Sequence, residues 1–134
     1  MRFVSVRFIT ADLKRLVQFY EQLTGILVTQ YTEDFAELQT PTATLAIGST
    51  RTLQLFGGEQ VASAASNRSV ILEFRVDDVD AAYQRLTSVL GTCLVQKPTT
   101  MPWGNRSLLL RDPDGNLVNF FTPVTPEARQ KFEQ

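Results

Sequence analysis

The sequence contains no histidine, and this absence excludes more chemistry than any residue that is present. Histidine is the commonest general base and a frequent transition-metal ligand, so catalytic triads and metal sites that need an imidazole are excluded. The one cysteine, Cys93, cannot form a disulfide within the chain. Carboxylates, amides, tyrosines, one thiol and water remain for polar chemistry.

Long apolar runs and an excess of charge of one sign are also missing. No apolar stretch approaches the roughly 20 residues that a membrane-spanning helix needs. Arg2, Arg7 and Asp12 interrupt the region where a signal peptide would be apolar. The 13 basic and 14 acidic residues leave a net charge of -1, which favours neither nucleic acid nor a membrane surface as a partner. We therefore expect a cytoplasmic protein with neither partner.

Chain length and hydrophobic content are sufficient for one core. The 134 residues are 43% hydrophobic, and a chain of this length buries roughly two-thirds of its unfolded surface. We expect a single domain over residues 1–124. Residues 125–134 are expected to form a short helical tail, with Thr125 as the N-cap and Pro126 at the first helical position.

The chain repeats itself at a constant offset of 66 residues: Val4–Gly25 aligns with Val70–Gly91 without a gap. Each copy begins with the alternating apolar pattern of a half-buried strand and continues with apolar residues at helical spacing. Asp12 and Asp78 stand between strand and helix, where a short carboxylate caps the first turn. The glycine that ends each copy is typical of a helix C-terminus. These features indicate an internal duplication.

Short strands and turns are predicted after each helix. Asp112–Gly115, with the sequence Asp-Pro-Asp-Gly, is a strong turn signal. The candidate strands are residues 26–31, 35–39, 44–47 and 52–56 in the first copy, and 93–96, 106–111 and 116–122 in the second. We therefore predict an α+β fold of two βαβββ modules, residues 1–58 and 70–124, joined by a polar linker at 59–69.

This arrangement resembles the vicinal-oxygen-chelate superfamily, which includes glyoxalase I, extradiol dioxygenases and metal-free bleomycin-binding proteins. The resemblance runs from Arg2 to about Pro123. It rests on the duplicated module, on the stretch from Asp12-Leu13 to Phe19-Tyr20, and on Asp112-Pro113-Asp114-Gly115-Asn116. It implies two mixed sheets that enclose a cleft, and a homodimer. Because such proteins differ in activity, function has to be argued from the site residues.

The resemblance also implies where a metal would bind. Metal-dependent relatives use a histidine on the first strand of each module and a carboxylate or glutamine on the last. The corresponding positions here are Ser5, Gln54, Ile71 and Asn119. This set offers no imidazole and no charge, so it is unsuited to holding a catalytic divalent ion. We expect neither a metal nor another cofactor.

Arg7 and Glu73 occupy equivalent positions in the two copies, each on the first strand of its module. Side chains alternate along a strand, so both are expected on the face opposite the apolar positions that pack on the helices. A charge there is costly unless it is paired or meets water or ligand. Two interpretations fit: an internal Arg7–Glu73 ion pair, or a cleft in which Arg7 receives an anionic or carbonyl group and Glu73 a basic one.

Aromatic residues are predicted to complete the cleft. Phe56 and Phe121 share strand faces with Gln54 and Asn119, and Trp103 lies on a loop, where it either contacts ligand or anchors the loop. Tyr31, Glu33 and Phe35 are expected at the rim of the first module.

The leading hypothesis is a metal-free protein that binds a small, partly aromatic molecule, in a sequestering or resistance-like role. Its predicted ligand-binding residues are Arg7, Gln54, Phe56, Glu73, Trp103, Asn119 and Phe121. The alternative is an enzyme of the same fold, a glyoxalase-like lyase, isomerase or dioxygenase. It would be metal-independent, with Glu73 as general base and Arg7 stabilising an enolate, or would use non-standard metal ligands.

Overall fold

The computed structural model describes residues 1–133; Gln134, the end of the predicted tail, lies outside the described residues. Strands and helices follow the order βαβββ twice, and a short helix ends the chain. The bounds are β1 Ser5–Thr10, α1 Leu13–Thr24, β2 Thr29–Thr32, β3 Phe35–Gln39, β4 Thr44–Ser49, β5 Ile71–Arg75, α2 Val79–Leu90, β6 Leu94–Thr100, β7 Asn105–Arg111, β8 Leu117–Pro123 and α3 Pro126–Phe132. The predicted α+β class with two βαβββ modules is confirmed.

Contacts divide the chain into two compact units. The first unit contains residues 1–67 together with 113–115, and the second contains 68–112 and the residues from 116 onward. Each unit has one four-stranded mixed sheet, in the order β1-β4-β3-β2 in the first unit and β5-β8-β7-β6 in the second. No helix among residues 1–133 is both long enough and apolar enough to span a membrane.

The N-caps of both long helices are formed as the sequence predicts. The Asp12 carboxylate accepts a hydrogen bond from the Arg15 backbone N–H, and Asp78 accepts from Ala81. Gly25 ends α1 in the left-handed conformation, with φ of 73°. Gly91 differs from this prediction, because its ψ of -121° takes the chain directly into a short 3-10 turn.

The core of each unit lies between one face of the sheet and the long helix. In the first unit Leu16, Tyr20 and Leu23 of α1 are buried, as are Leu38 of β3 and Ile47 of β4. The second unit repeats this pattern between α2 and strands β7 and β8, where the fully or almost fully buried residues are Val79, Leu86, Leu108, Leu110 and Val118. The opposite face of each sheet is therefore the face that is left for other contacts.

The predicted strand at residues 52–56 is wrong, because this stretch belongs to a 3-10 helix, Thr50–Phe56. The backbone turns where β4 ends: the Ser49 hydroxyl accepts from the Arg51 N–H, and the Thr52 hydroxyl donates to the Ser49 carbonyl at 2.7 Å. These local bonds offer the backbone an alternative to strand pairing. The first module therefore ends its sheet at β4.

Other strand predictions need smaller corrections at their ends. β2 begins at Thr29 rather than Ile26, and β4 continues to Ser49. β6 begins at Leu94, because Cys93 ends the 3-10 turn that follows α2. Element ends are the part of a fold that sequence patterns predict least well.

Candidate ligand-binding site

An arginine held between two aromatic rings marks the open face of the first sheet. The Arg7 guanidinium carbon lies 4.6 Å from the centre of the Phe35 ring and 5.3 Å from that of Phe56. The Tyr31 ring also stacks on Phe35, with centroids 6.0 Å apart. Strand β1 supplies Arg7, β3 supplies Phe35, and the 3-10 helix supplies Phe56. The two rings position the guanidinium by cation–π attraction.

A cavity of about 790 Å³ lies beside this cluster, within the first unit. That volume is within the range of known small-molecule sites. The residues that line it come from the middle of β1, the β2–β3 turn with the adjoining strand ends, and the 3-10 helix: Arg7, Thr32, Asp34, Phe35, Arg51, Thr52, Gln54, Leu55 and Phe56. Arg7, Gln54 and Phe56, three of the predicted ligand-binding residues, are thus brought together.

Asp34 fixes the start of the 3-10 helix. Its Oδ1 accepts from the Ser49 hydroxyl and from Arg51 Nε, both at 2.7 Å. These hydrogen bonds, first that from Ser49 and then that from Arg51, lower the pKa of Asp34 below its usual value. The carboxylate therefore stays ionised and holds the segment that carries Leu55 and Phe56.

Arg7 differs from Arg51 in what its N–H groups do. Within the described residues of the first unit the Arg7 guanidinium has neither a hydrogen bond nor an ion pair, whereas Arg51 is paired with Asp34. Two cations and one anion line the cavity, so its charge is positive and its unpaired charge is on Arg7. A planar guanidinium with free donors matches a carboxylate or a carbonyl oxygen.

In the second unit the predicted residues lie on the corresponding sheet face and its nearby loop. Glu73 of β5 accepts a hydrogen bond from the Asn119 side-chain amide of β8 at 2.9 Å. Phe121 is only 7% exposed, and its ring lies 5.2 Å from that of Phe132. Trp103 is 67% exposed on the loop before β7. The proposed roles of these residues in binding, like the Arg7–Glu73 ion pair, stay predictions.

Sequence reasoning missed Asp34, Arg51 and Leu55, and placed Phe35 only at the rim. The prediction of a strand at 52–56 is the reason, because side chains alternate every two residues in a strand but repeat about every three residues in the 3-10 helix that forms. The Gly48-Ser49 pair was the available signal, since a glycine followed by a capping serine marks the end of a strand.

The duplication corrects the position that corresponds to a metal ligand in the first module. β1 pairs with β4 in the register Arg7 to Ala46, and β5 pairs with β8 in the register Glu73 to Asn119. The counterpart of Asn119 is therefore Ala46, not Gln54. The alanine side chain has no donor atom, so this position supplies no metal ligand. Within residues 1–133 no group of three or more Cys, Asp or Glu side chains is placed to hold an ion.

The same register shows why the cavity is open. Gly48 of β4 lies between Ile9 and Phe35, whereas its counterpart Phe121 of β8 lies between Arg75 and Ser107. The large ring is thus on the third strand of the first module and on the last strand of the second. A Cβ atom at Gly48 would lie 3.0 Å from Thr52 Oγ1 and 3.8 Å from Arg7 Cδ. Glycine keeps the space beside Arg7 free.

Comparison with known proteins identifies the family. The profile of the Glyoxalase/Bleomycin resistance protein/Dioxygenase superfamily matches residues 2–120. The uncharacterized protein YraH of Bacillus subtilis (strain 168) is 25% identical over 125 residues, which are 90% of this chain and 98% of that protein.

Several solved structures share the fold of this chain. A glyoxalase/bleomycin resistance protein/dioxygenase from Nocardioides has a TM-score of 0.77 at 22% identity, over 94% of this chain and 85% of that one. A family enzyme from Burkholderia phytofirmans PsJN also scores 0.77, at 21% identity over 90% and 97%. A protein of unknown function from Agrobacterium tumefaciens str. C58 scores 0.76 at 27% identity, over 91% and 94%. The chain belongs to the Glyoxalase/Bleomycin resistance protein/Dioxygenase superfamily.

Proposed function

We propose that this protein binds a small aromatic carboxylate, without a metal ion, in the cavity of the first unit. The observation that carries the proposal is the Arg7 guanidinium, which lies between Phe35 and Phe56 and has no acceptor among the described residues of the first unit. A carboxylate would complete the arginine's hydrogen bonds in a two-pronged, charge-assisted geometry. The role that follows is sequestration or carriage of such a compound.

The walls of the cavity suit the apolar part of the ligand. Phe35, Leu55 and Phe56 present apolar surface beside the guanidinium, and Leu55 and Phe56 are largely exposed without a ligand. A flat ring would be stabilised by offset stacking and by removal of apolar surface from water. Because both rings already position Arg7, little side-chain entropy is lost when the anion binds.

Binding is favoured over catalysis by the state of the one carboxylate in the cavity lining. Asp34 already accepts from Ser49 and Arg51, and these contacts lower its pKa. A general base needs a pKa near the working pH and an oxygen free to take the proton. Asp34 meets neither condition, so the lining as described offers an anion receptor without a partner for proton transfer.

The test compares 2-naphthoate with 2-naphthamide, which has nearly the same shape and no charge. We expect 2-naphthoate to bind by isothermal titration calorimetry and to raise the Tm, because selective binding to the folded state stabilises it. We expect 2-naphthamide to bind at least tenfold more weakly, since it cannot form a charge-assisted pair with Arg7. Chelator treatment before the titration is expected to leave both affinities unchanged.

Two outcomes would contradict the proposal. Equal affinity for the acid and the amide would show that Arg7 is not an anion receptor. Binding that requires added zinc, nickel or manganese would show that a metal supplies the recognition instead.

A further inference from the structure

The second unit contains another arginine beside aromatic rings, and there the chain's own C-terminal helix occupies it. Arg75 Nη1 donates a hydrogen bond of 2.8 Å to the backbone carbonyl oxygen of Phe132. The Arg75 guanidinium carbon lies 5.9 Å from the centre of the Phe132 ring, and that ring lies against Phe121. Phe132 thus presents an aromatic ring to Phe121 and an oxygen to Arg75.

The helix α3 crosses the open face of the second sheet at one end. It starts beside Gly104, just before β7, where Thr125 and Ala128 occupy the space that a side chain would need. It ends at Arg75 on β5. Seven helical residues span about 10 Å, close to the two strand spacings of about 4.8 Å that separate β7 from β5. The C-terminal end of α3 therefore contacts the row Arg75–Phe121–Ser107 at Arg75 and Phe121.

One residue of that row is a polar group with no partner. Ser107 is 1% exposed, and its hydroxyl oxygen has no hydrogen-bond partner within residues 1–133. A buried hydroxyl without a partner is unfavourable, and each such group in a native structure needs an explanation. Ser107 is the neighbour of Phe121 on the side away from Arg75, so it belongs to the same row of the sheet face.

We propose that Arg75, Phe121 and Ser107 form a second binding site, for arylalkyl carboxylates, and that Phe132 occupies it as an internal stand-in for the ligand. The compound 3-phenylpropanoate has the same ring, two-carbon spacing and carbonyl oxygen as Phe132. Its carboxylate is charged and pairs with arginine more strongly than a peptide carbonyl does. The helix competes because it is tethered, which gives Phe132 a high effective concentration.

This site shares no residue with the cavity lining of the first unit, so variants can separate the two. The full-length Phe132→Ala variant is titrated with 3-phenylpropanoate by isothermal titration calorimetry, beside the wild-type protein. We expect the variant to bind one more equivalent than wild type, or to bind that equivalent at least tenfold more tightly. Adding Arg75→Gln should remove the extra equivalent, whereas adding Arg7→Gln should leave it in place.

A second measurement keeps the proposal testable if Phe132→Ala folds poorly. In the wild-type protein, saturating 3-phenylpropanoate should displace α3 and speed amide hydrogen exchange over residues 126–132 at least tenfold. An unchanged exchange rate there would overturn the proposal. Binding in Phe132→Ala that survives Arg75→Gln unchanged would overturn it as well, and so would a folded Phe132→Ala protein that neither gains an equivalent nor binds one more tightly.

Discussion

The two units share one topology and differ in where each places its large ring. In the first unit Phe35 lies on the third strand opposite Gly48, and the face beside Arg7 is open. In the second unit the large residue is on the last strand and the small one on the third, so Ser107 lies opposite Phe121. Phe121 then contacts Phe132 of α3, which covers that ring.

In both units a short helical segment follows the last strand of the sheet. The 3-10 helix of the first unit and α3 of the second are each seven residues long, and each ends in a phenylalanine that lies near an arginine of the first strand. Phe56 leaves the Arg7 donors free, whereas Phe132 adds a carbonyl oxygen to Arg75. Similar segments at non-equivalent positions thus leave the cavity beside Arg7 open and place a ring and a carbonyl oxygen beside Arg75.

The largest expected contrast is in stability, between Phe121→Ala and Phe56→Ala. Phe121 is 7% exposed and Phe56 is 56% exposed. We expect Phe121→Ala to lower the free energy of unfolding by about 3 kcal/mol or more, since it leaves a cavity. Phe56→Ala should cost about 0.5 kcal/mol or less, as surface substitutions usually do. Urea unfolding measures both, and equal losses would contradict the open and covered assignment.

The next contrast is in ligand affinity, between Arg7→Gln and Arg106→Gln. Arg7 lines the cavity, whereas Arg106 of the second unit is paired with Asp80. A hydrogen bond to a charged group contributes about 1.5–3 kcal/mol to binding, so its loss in Arg7→Gln should weaken 2-naphthoate binding roughly tenfold to a hundredfold. Arg106→Gln is the matched control and should leave the Kd unchanged. A control that weakens binding as much would show a general charge effect.

A smaller contrast of opposite sign is expected for Gly48→Ala and Ser107→Ala. The added methyl at Gly48 would crowd Thr52 Oγ1 at 3.0 Å, so we expect a loss of about 1 kcal/mol and weaker binding of 2-naphthoate. Ser107→Ala removes a buried hydroxyl without a partner and should raise the free energy of unfolding by about 1 kcal/mol. Thermal unfolding of the two variants checks the signs, and a destabilised Ser107→Ala would show that the hydroxyl is satisfied in solution.

The smallest contrast concerns pH and the ion pairs Asp34–Arg51 and Asp80–Arg106. Hydrogen bonds from Ser49 and then Arg51 lower the pKa of Asp34, and that from Arg106 lowers the pKa of Asp80. Each carboxylate therefore stabilises the fold above its unfolded pKa of about 4, and this contribution disappears as the pH falls through the lower folded value.

Both Asp34→Asn and Asp80→Asn should thus reduce stability slightly at pH 7 and have little effect near pH 2. Only Asp34→Asn should also weaken 2-naphthoate binding, because only Asp34 holds the 3-10 helix at the cavity. Urea unfolding at the two pH values and a titration at pH 7 measure these effects. Weaker binding in Asp80→Asn would count against the assignment of the site to the first unit.

Much of the fold could be predicted because its signals are local. Asp12 and Asp78 cap helices through contacts three residues away, and strand alternation sets which residues share a face. The duplication then predicted the second module from the first. Arg7 could be predicted as a candidate site residue because a charge on a strand of a half-buried sheet needs a partner or a ligand.

The rest depended on contacts that the sequence does not display. Residues 52–56 read as a strand, and only the Ser49 and Asp34 hydrogen bonds turn them into a 3-10 helix. The pairing register that makes Ala46 the counterpart of Asn119 is set between strands far apart in sequence. The contact between Phe132 and Phe121 likewise requires the position of α3 on the sheet.

A crystal structure of the protein with 2-naphthoate tests the central claim most directly. We expect the carboxylate to lie about 2.7–2.9 Å from the Arg7 guanidinium nitrogens, with the naphthyl ring against Phe35 or Phe56. A carboxylate bound elsewhere, with Arg7 unchanged between its two rings and free of the ligand, would contradict it.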